Sequence, residues 1–96
     1  MLAFSPGNVA FMMPTTVETA TKGGGNVSYI RLVNESATVQ TVYYCSSATP
    51  AEVIGTIRLR PSEVMVLWKR RQAHKMYASS AEVWGTGGMA RPASLK

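Results

Sequence analysis

Residues that favour extended backbone recur along the whole chain, and turn residues interrupt them at short intervals. The sequence holds ten Val, three Ile and nine Thr, side chains that pack well on a pleated sheet and lose rotamer freedom in a helix. Clusters of Gly, Pro, Asn and Ser separate these stretches at roughly 8–12-residue spacing, which is typical of sandwiches and small barrels. No helical pattern supplies a βαβ crossover, so we predict an all-β fold, a small antiparallel β-sandwich of about six to eight strands.

Alternation of apolar and polar residues locates the strands. Ile30 and Leu32 share one face of the first central strand, and Val53, Ile57 and Leu59 share the inward face of the third. The second central strand is apolar on both sides, as expected for a central or interface strand. The predicted central strands cover residues 27–33, 38–45, 52–59 and 63–70, with shorter strands at about 15–21 and 81–85 and a single helical turn within 71–80.

The length and the charge of the chain limit the number of its domains and suggest how it assembles. Ninety-six residues allow one domain. We predict a sandwich body at 27–85, preceded at 1–26 by an N-terminal arm and edge strand with a glycine-rich hinge, and followed at 86–96 by a C-terminal tail. Charged residues make up only 16%, below the roughly 25% of an average soluble domain. This low charge favours a homo-oligomer or another assembly that covers part of the surface.

The sequence offers little for a membrane or a secretion pathway. The longest apolar run of the body is Val64–Trp68, whereas a membrane-spanning helix needs about 20 apolar residues. The first residues lack the positive start and the long apolar stretch of a secretion signal. We therefore expect no membrane partner.

The ionisable residues exclude several kinds of catalytic and metal site. The chain has no Asp and a single Cys, which rules out a Ser-His-Asp triad, an Asp-rich cation loop, an internal disulfide and a multi-Cys zinc site. Cys45 and His74 are the one nucleophile-base pair available, but Cys45 lies in an apolar strand and His74 lacks an orienting carboxylate. We expect no enzyme activity, no metal and no cofactor.

Basic residues concentrate near the end of the fourth central strand, and this cluster is the clearest electrostatic feature of the sequence. It can be a solvated hairpin end, a surface that docks an acidic protein lattice, or a phosphate-binding patch with a nearby aromatic ring. Protein docking is favoured over nucleic acid, because no RNA-binding motif is present and aromatic residues are few. The residues that we assign to docking are Lys69, Arg70, Arg71 and Lys75.

Apolar residues of the N-terminal arm form a second candidate interface. Apolar surface left in water costs about 25 cal/mol per Å², so these residues should be buried. They either close the sandwich as an edge strand or become buried in a neighbouring molecule, and we favour the neighbour. Aromatic residues of the body can add an interface hot spot, although we expect both Trp residues to lie in the core. The predicted apolar interface residues are Phe4, Phe11, Met12, Met13 and Tyr44.

Three motifs follow one another in the body of the chain. IRLVN begins at Ile30 with a Ser two residues after its Asn, IGTIRLRPSE begins at Ile54, and ASSAEVWG begins at Ala78. In this order they resemble small β-sandwich virion proteins of tailed bacteriophages, especially those that infect cyanobacteria. The resemblance covers residues 27–85. The chain departs from that family where basic residues at 70–75 stand in place of an acidic stretch.

The resemblance implies a non-enzymatic structural protein located in the virion and assembled in the host cytoplasm. It implies a capsid decoration (cement) protein that binds the major capsid protein and stabilises the assembled head, or else a neck, tail or fibre component that binds other virion proteins. An alternative of another class is a small nucleic-acid-binding β-module that uses the basic hairpin.

Overall fold

Period-two apolar patterns form seven strands in the computed structural model, which describes residues 10–23 and 27–88. Each predicted central strand is present, with ends trimmed by turn residues. The strands are β1 (Phe11–Met12), β2 (Tyr29–Asn34), β3 (Gln40–Cys45), β4 (Val53–Leu59), β5 (Val64–Trp68), β6 (Lys75–Ala78) and β7 (Val83–Gly88), and a 3₁₀ helix spans Val17–Thr19.

The strands form two antiparallel sheets, which confirms the predicted all-β sandwich. The larger sheet has the order β1-β7-β2-β5, and the smaller has the order β4-β3-β6. Between β1 and β2 the chain visits the smaller sheet, where Thr21 bridges Met76 on β6. From there on, every connection crosses between the sheets except the β3–β4 hairpin. This is the order and connectivity of a jelly roll whose second strand is reduced to the Thr21 bridge.

The core lies between the two sheets and draws on both. Ile30 and Leu32 face inward, as predicted from their spacing. Full burial of an aliphatic side chain stabilises the fold by about 1.5–3 kcal/mol, so this layer supplies most of the stability. Its members are Met13, Val27, Ile30, Leu32, Val42, Tyr44, Leu59, Met76, Ala78 and Val83, with Phe11, Ile57, Met65 and Leu67 packed against them.

A buried asparagine ties the two sheets together at one end. Asn34 ends β2, and its side-chain amide donates to the carbonyls of Thr38 and Leu59, both at 2.9 Å. Its side-chain oxygen accepts from the backbone N–H (2.9 Å) and the hydroxyl (2.8 Å) of Ser36. All the hydrogen-bonding capacity of a buried amide is used in this way, which gives the Asn-x-Ser element of the IRLVN motif a structural role.

Three predictions of local structure differ from the structure. Residues 15–21 hold a 3₁₀ helix where a strand was predicted. Thr16 caps this helix by accepting from the Thr19 N–H, since threonine hydroxyls near the backbone compete with sheet hydrogen bonds. Within 71–80, where a single helical turn was predicted, the His74 N–H donates to the Arg71 carbonyl in a tight turn. Lys75–Ala78 then form strand β6, whose pairing with β3 overrides its mixed composition. Val53, predicted to face inward, is exposed on the edge strand β4.

The arm residues that the structure describes pack on this chain's own sandwich, contrary to the favoured expectation. Met13 is 1% exposed and lies in the core, and Phe11 packs against it from β1. The strand pairing of Phe11 and Met12 with β7 turns alternate side chains inward and outward. Phe4 lies outside the described residues, as do residues 24–26 of the predicted hinge and 89–96 of the tail.

Candidate docking surface

The side of the larger sheet that faces away from the core is mostly apolar. Strand register aligns side chains across four strands there, because Val33 pairs with both Trp84 and Val64, and Trp84 pairs with Met12. A second row runs through Thr86, Arg31 and Val66. We call this surface the outer face of the larger sheet, and it consists of Met12, Tyr29, Arg31, Val33, Val64, Val66, Trp68, Trp84 and Thr86.

Much of this apolar surface is open. Met12 is 59% exposed and Trp68 is 49% exposed, so the expectation that both Trp residues lie in the core is wrong for Trp68. Trp84 is half-buried and lies outside the core cluster. A shallow depression of about 260 Å³ opens at Trp84, Arg31 and Glu35. Contiguous apolar surface of this kind typically marks an interaction site.

Among the described residues, Arg31 is the only cation of the outer face of the larger sheet, and Glu35 lines the same depression. Arg31 is half-buried between Thr86 and Val66. Among residues 10–23 and 27–88, no carboxylate forms an ion pair with its guanidinium. A planar guanidinium in apolar surroundings is a strong recognition group for a carboxylate, which it can bind with two parallel hydrogen bonds.

Close packing at one edge supports the exposed tryptophan. The Tyr29 ring is fully buried and lies 5.3 Å from the Trp68 ring, centroid to centroid. Gly88 makes this possible, because a Cβ at that position would overlap the Tyr29 ring. The inner side of Trp68 is therefore held in place, while its outer side is presented to solvent.

The opposite surface of the sandwich has a different character. On the outer side of the smaller sheet, Tyr43 and Tyr77 stack with ring centroids 4.6 Å apart and planes inclined by 18°. Burial raises the pKa of the Tyr77 hydroxyl. Thr41, Thr56 and Arg58 are paired beside this stack in the strand register, so polar groups surround the aromatic contact. The exposed apolar side chains of this sheet, Val53 and Ile54, lie at the start of the edge strand β4.

The predicted basic cluster begins at the end of β5, and its first residue has an internal role. The Lys69 ammonium donates to the Lys22 carbonyl at 2.8 Å and also to the Gln72 carbonyl. Burial, together with the charge of Lys22, lowers the pKa of Lys69 to about 8. Lys69 thus holds the loop to the N-terminal segment, whereas Arg70 and Arg71 are exposed.

Tyr44 and His74 fix the far side of the same loop. The Tyr44 hydroxyl accepts from the Arg70 N–H at 2.8 Å and lies 2.7 Å from Nδ1 of His74. Because the hydroxyl already accepts one bond, its own proton is free to be donated to a neutral His74. Burial, and then the positive charges of Arg71, Lys69 and Arg70, lower the pKa of His74, which favours this neutral form.

The structure therefore places several of the predicted interface residues in the interior or on a different side of the sandwich. Tyr44 is buried and supports the basic loop from inside. Lys75 lies on β6 beside Val17, Glu18 and Pro50, on the smaller-sheet side. Of the predicted interface residues that the structure describes, Met12, Arg70 and Arg71 present exposed side chains.

The reactive side chains of the described residues make internal hydrogen bonds. Cys45 is buried, its thiol donates to the Tyr43 carbonyl, and burial raises its pKa. The group stays a thiol, which is a poor nucleophile. Among residues 10–23 and 27–88, no cluster of His, Cys, Asp or Glu could hold a metal ion. In the same ranges, no helix is long and apolar enough to cross a membrane.

Comparison with protein-family models, with curated proteins and with solved structures finds no match to this chain. The surface itself therefore carries the functional argument.

Proposed function

We propose that this chain is a non-enzymatic structural protein of a tailed-phage virion, most specifically a capsid decoration protein that binds and stabilises the assembled head. The observation that carries the proposal is the outer face of the larger sheet, where apolar side chains surround the single cation Arg31. The motif order at residues 27–85 suggests the phage context, and a jelly roll is compatible with it, although a fold alone does not determine function.

The face suits a partner that is apolar and carries a carboxylate. Met12, Trp84 and Val33 would lose water on docking, and each square ångström of apolar surface removed contributes about 25 cal/mol before the costs of association. Arg31 would pair with the carboxylate in a desolvated position, where such pairs fix orientation. Arg70 and Arg71 border the same sheet and would attract an acidic surface over longer distances.

Repetition over the head would turn modest single contacts into firm attachment. A head presents many equivalent positions, and subunits held by more than one contact gain from a high effective concentration. A neck, tail or fibre component would use the same surface in a few copies. Stabilisation of the head therefore requires occupancy over the whole shell.

A second candidate function rests on a different observation. Trp68 is half exposed, and the exposed pair Arg70 and Arg71 follows after Lys69. An aromatic platform beside cations is an arrangement used to bind single-stranded nucleic acid. Excess unstructured DNA would compete strongly in that case, whereas docking on a protein lattice predicts little competition at constant ionic strength.

Binding of the purified chain to heads that lack it tests the first proposal. Met12→Glu and Arg31→Glu place negative charge on the outer face of the larger sheet, and we expect each to weaken binding by about tenfold or more. The matched controls are Ile54→Glu and Arg58→Glu on the smaller sheet, with binding expected within about twofold of wild type. Equal losses in both pairs, or no loss in either, would contradict docking through this face.

A further inference from the structure

Each sheet ends in two edge strands, and three of these four edges are short, covered or interrupted. Strand β1 has only the two residues Phe11–Met12. Strand β6 is bridged by Thr21 and packs against the 3₁₀ helix. Strand β4 carries Gly55 and Arg58, and its pairing with β3 shifts register at Cys45. Proteins use such features to prevent edge strands from pairing with other chains.

Strand β5 has none of these features. Its five residues, Val64–Trp68, include no charge, no Pro and no Gly. Its pairing with β2 is regular throughout. Among the residues that the structure describes, β2 is its only strand partner. A regular, apolar and unpaired edge is a template for another strand.

The backbone hydrogen bonds show which groups face outward from this edge. Glu63 accepts from the Asn34 N–H at 3.1 Å, and the Lys69 N–H donates to the Ser28 carbonyl at 2.9 Å, so both residues point toward β2. Because antiparallel strands alternate, Met65 and Leu67 also point toward β2. The N–H and C=O groups of Val64, Val66 and Trp68 therefore point away from the sheet.

The same three residues carry apolar side chains on the outer face of the larger sheet. Val64 is 48% exposed and Trp68 is 49% exposed, while Val66 between them is half-buried. A partner strand would bury the side chains of Val64 and Trp68 and satisfy the outward backbone groups at the same time.

We propose that β5 is a self-complementary interaction surface, through which two copies of this chain pair antiparallel about a two-fold axis at Val66. In this register Val66 lies opposite its own counterpart, and Val64 lies opposite Trp68 of the second copy. Each of these pairs exchanges both backbone hydrogen bonds. Each Trp68 ring covers the exposed Val64 across the interface, an aromatic–β-branched pair that stabilises antiparallel sheets.

The charges that flank β5 favour this orientation. Glu63 precedes the strand, and Lys69 follows it with the exposed Arg70 next. Antiparallel pairing about Val66 places Glu63 near Lys69 and the exposed Arg70 of the second copy, while the Lys69 ammonium and the Glu63 carboxylate keep their hydrogen bonds within each chain. Parallel pairing would place the cations of one copy beside those of the other, and like charges at directly opposed positions are destabilising.

The pairing would join two larger sheets into one continuous sheet. Their apolar outer faces would then lie side by side, so a dimer would present two docking faces in a fixed relation. This dimer is a property of the chain alone, and it stands or falls independently of the proposed place in a virion.

A disulfide at the two-fold axis tests the register directly. Directly opposed residues of a hydrogen-bonded antiparallel pair have Cα atoms about 5.5 Å apart, within the range that a disulfide spans. We expect Val66→Cys to form a disulfide-linked dimer under mild oxidation. Val64→Cys is the control, because the two copies of residue 64 would lie about 13 Å apart along the strands. The natural Cys45 is buried and present in both variants.

The mass in solution, measured by light scattering over a concentration series, tests the pairing without a cross-link. We expect the wild-type chain at twice 10.4 kDa and Val64→Lys at 10.4 kDa. Ile54→Lys, at a site 52% exposed on the β4 edge, should remain a dimer. Circular dichroism should show the same β signal in all three proteins.

Three results would overturn the proposal. The first is a wild-type monomer at every concentration up to about 1 mM, the range of very weak association. The second is a dimer that Ile54→Lys dissociates and Val64→Lys leaves intact. The third is cross-linking of Val64→Cys in preference to Val66→Cys, which would place the symmetry axis elsewhere.

Discussion

The two outer faces of the sandwich differ in how far the chain itself uses them. On the smaller sheet, Tyr43 and Tyr77 stack on each other among polar neighbours. On the larger sheet, Met12 and Trp68 extend into solvent around the single cation Arg31. Tyr29 is the fully buried member of this outer side, whereas Met12, Val64 and Trp68 are exposed and available to a partner.

The largest expected difference in stability is between substitutions of the adjacent residues Met12 and Met13, because these lie on opposite sides of the larger sheet. Met13→Ala removes a buried side chain and should lower the free energy of unfolding by about 2–5 kcal/mol. Met12→Ala, at an exposed position, should change it by less than about 0.5 kcal/mol. Urea denaturation measures both. A large loss in Met12→Ala would mean that the outer face also supports the fold.

An intermediate effect is expected on the smaller sheet. Tyr77→Ala removes the stacked ring pair with Tyr43 and should destabilise the chain by about 1–2 kcal/mol, since such pairs contribute beyond the area they bury. Val64→Ala, on the outer face of the larger sheet, should cost less than about 0.5 kcal/mol in the isolated chain. Thermal unfolding at low protein concentration gives both values. Similar losses for the two variants would remove the contrast between the faces.

The smallest effect concerns pH and the basic loop beside the larger sheet. The pKa of His74 is lower in the folded chain than its ordinary value of 6.5, so the unfolded chain takes up a proton first as pH falls. Stability should therefore decrease slightly from pH 7.5 to pH 5.5, and His74→Gln should reduce this decrease. Melting temperatures at the two pH values provide the measurement. A chain that becomes more stable at pH 5.5 would contradict the neutral His74–Tyr44 bond.

The sequence predicts the strands better than the surfaces. Alternation at Ile30 and Leu32 identifies an inward face correctly, because successive side chains of a strand point to opposite faces and apolar residues two positions apart share the face on the core. Strand β6 was missed because Lys75 and Tyr77 alternate with Met76 without a clear apolar pattern, and its position depends on pairing with β3.

Surface roles were harder to predict, because they depend on contacts between distant segments. Nothing local in the sequence shows that Met13 enters the core or that Tyr44 bonds to Arg70, 26 residues away. Arg31, Val33 and Trp84 were not assigned to an interface, although alternation places each of them opposite inward residues. Their importance appears only when the register of the larger sheet aligns them.

The proposal that the outer face of the larger sheet attaches this chain to the phage head is tested most directly by gold-labelled antibody electron microscopy of intact particles. With an antibody raised against the chain, we predict label spread evenly over the head. Label confined to one vertex or to the tail, or absent from intact particles, would contradict a decoration protein.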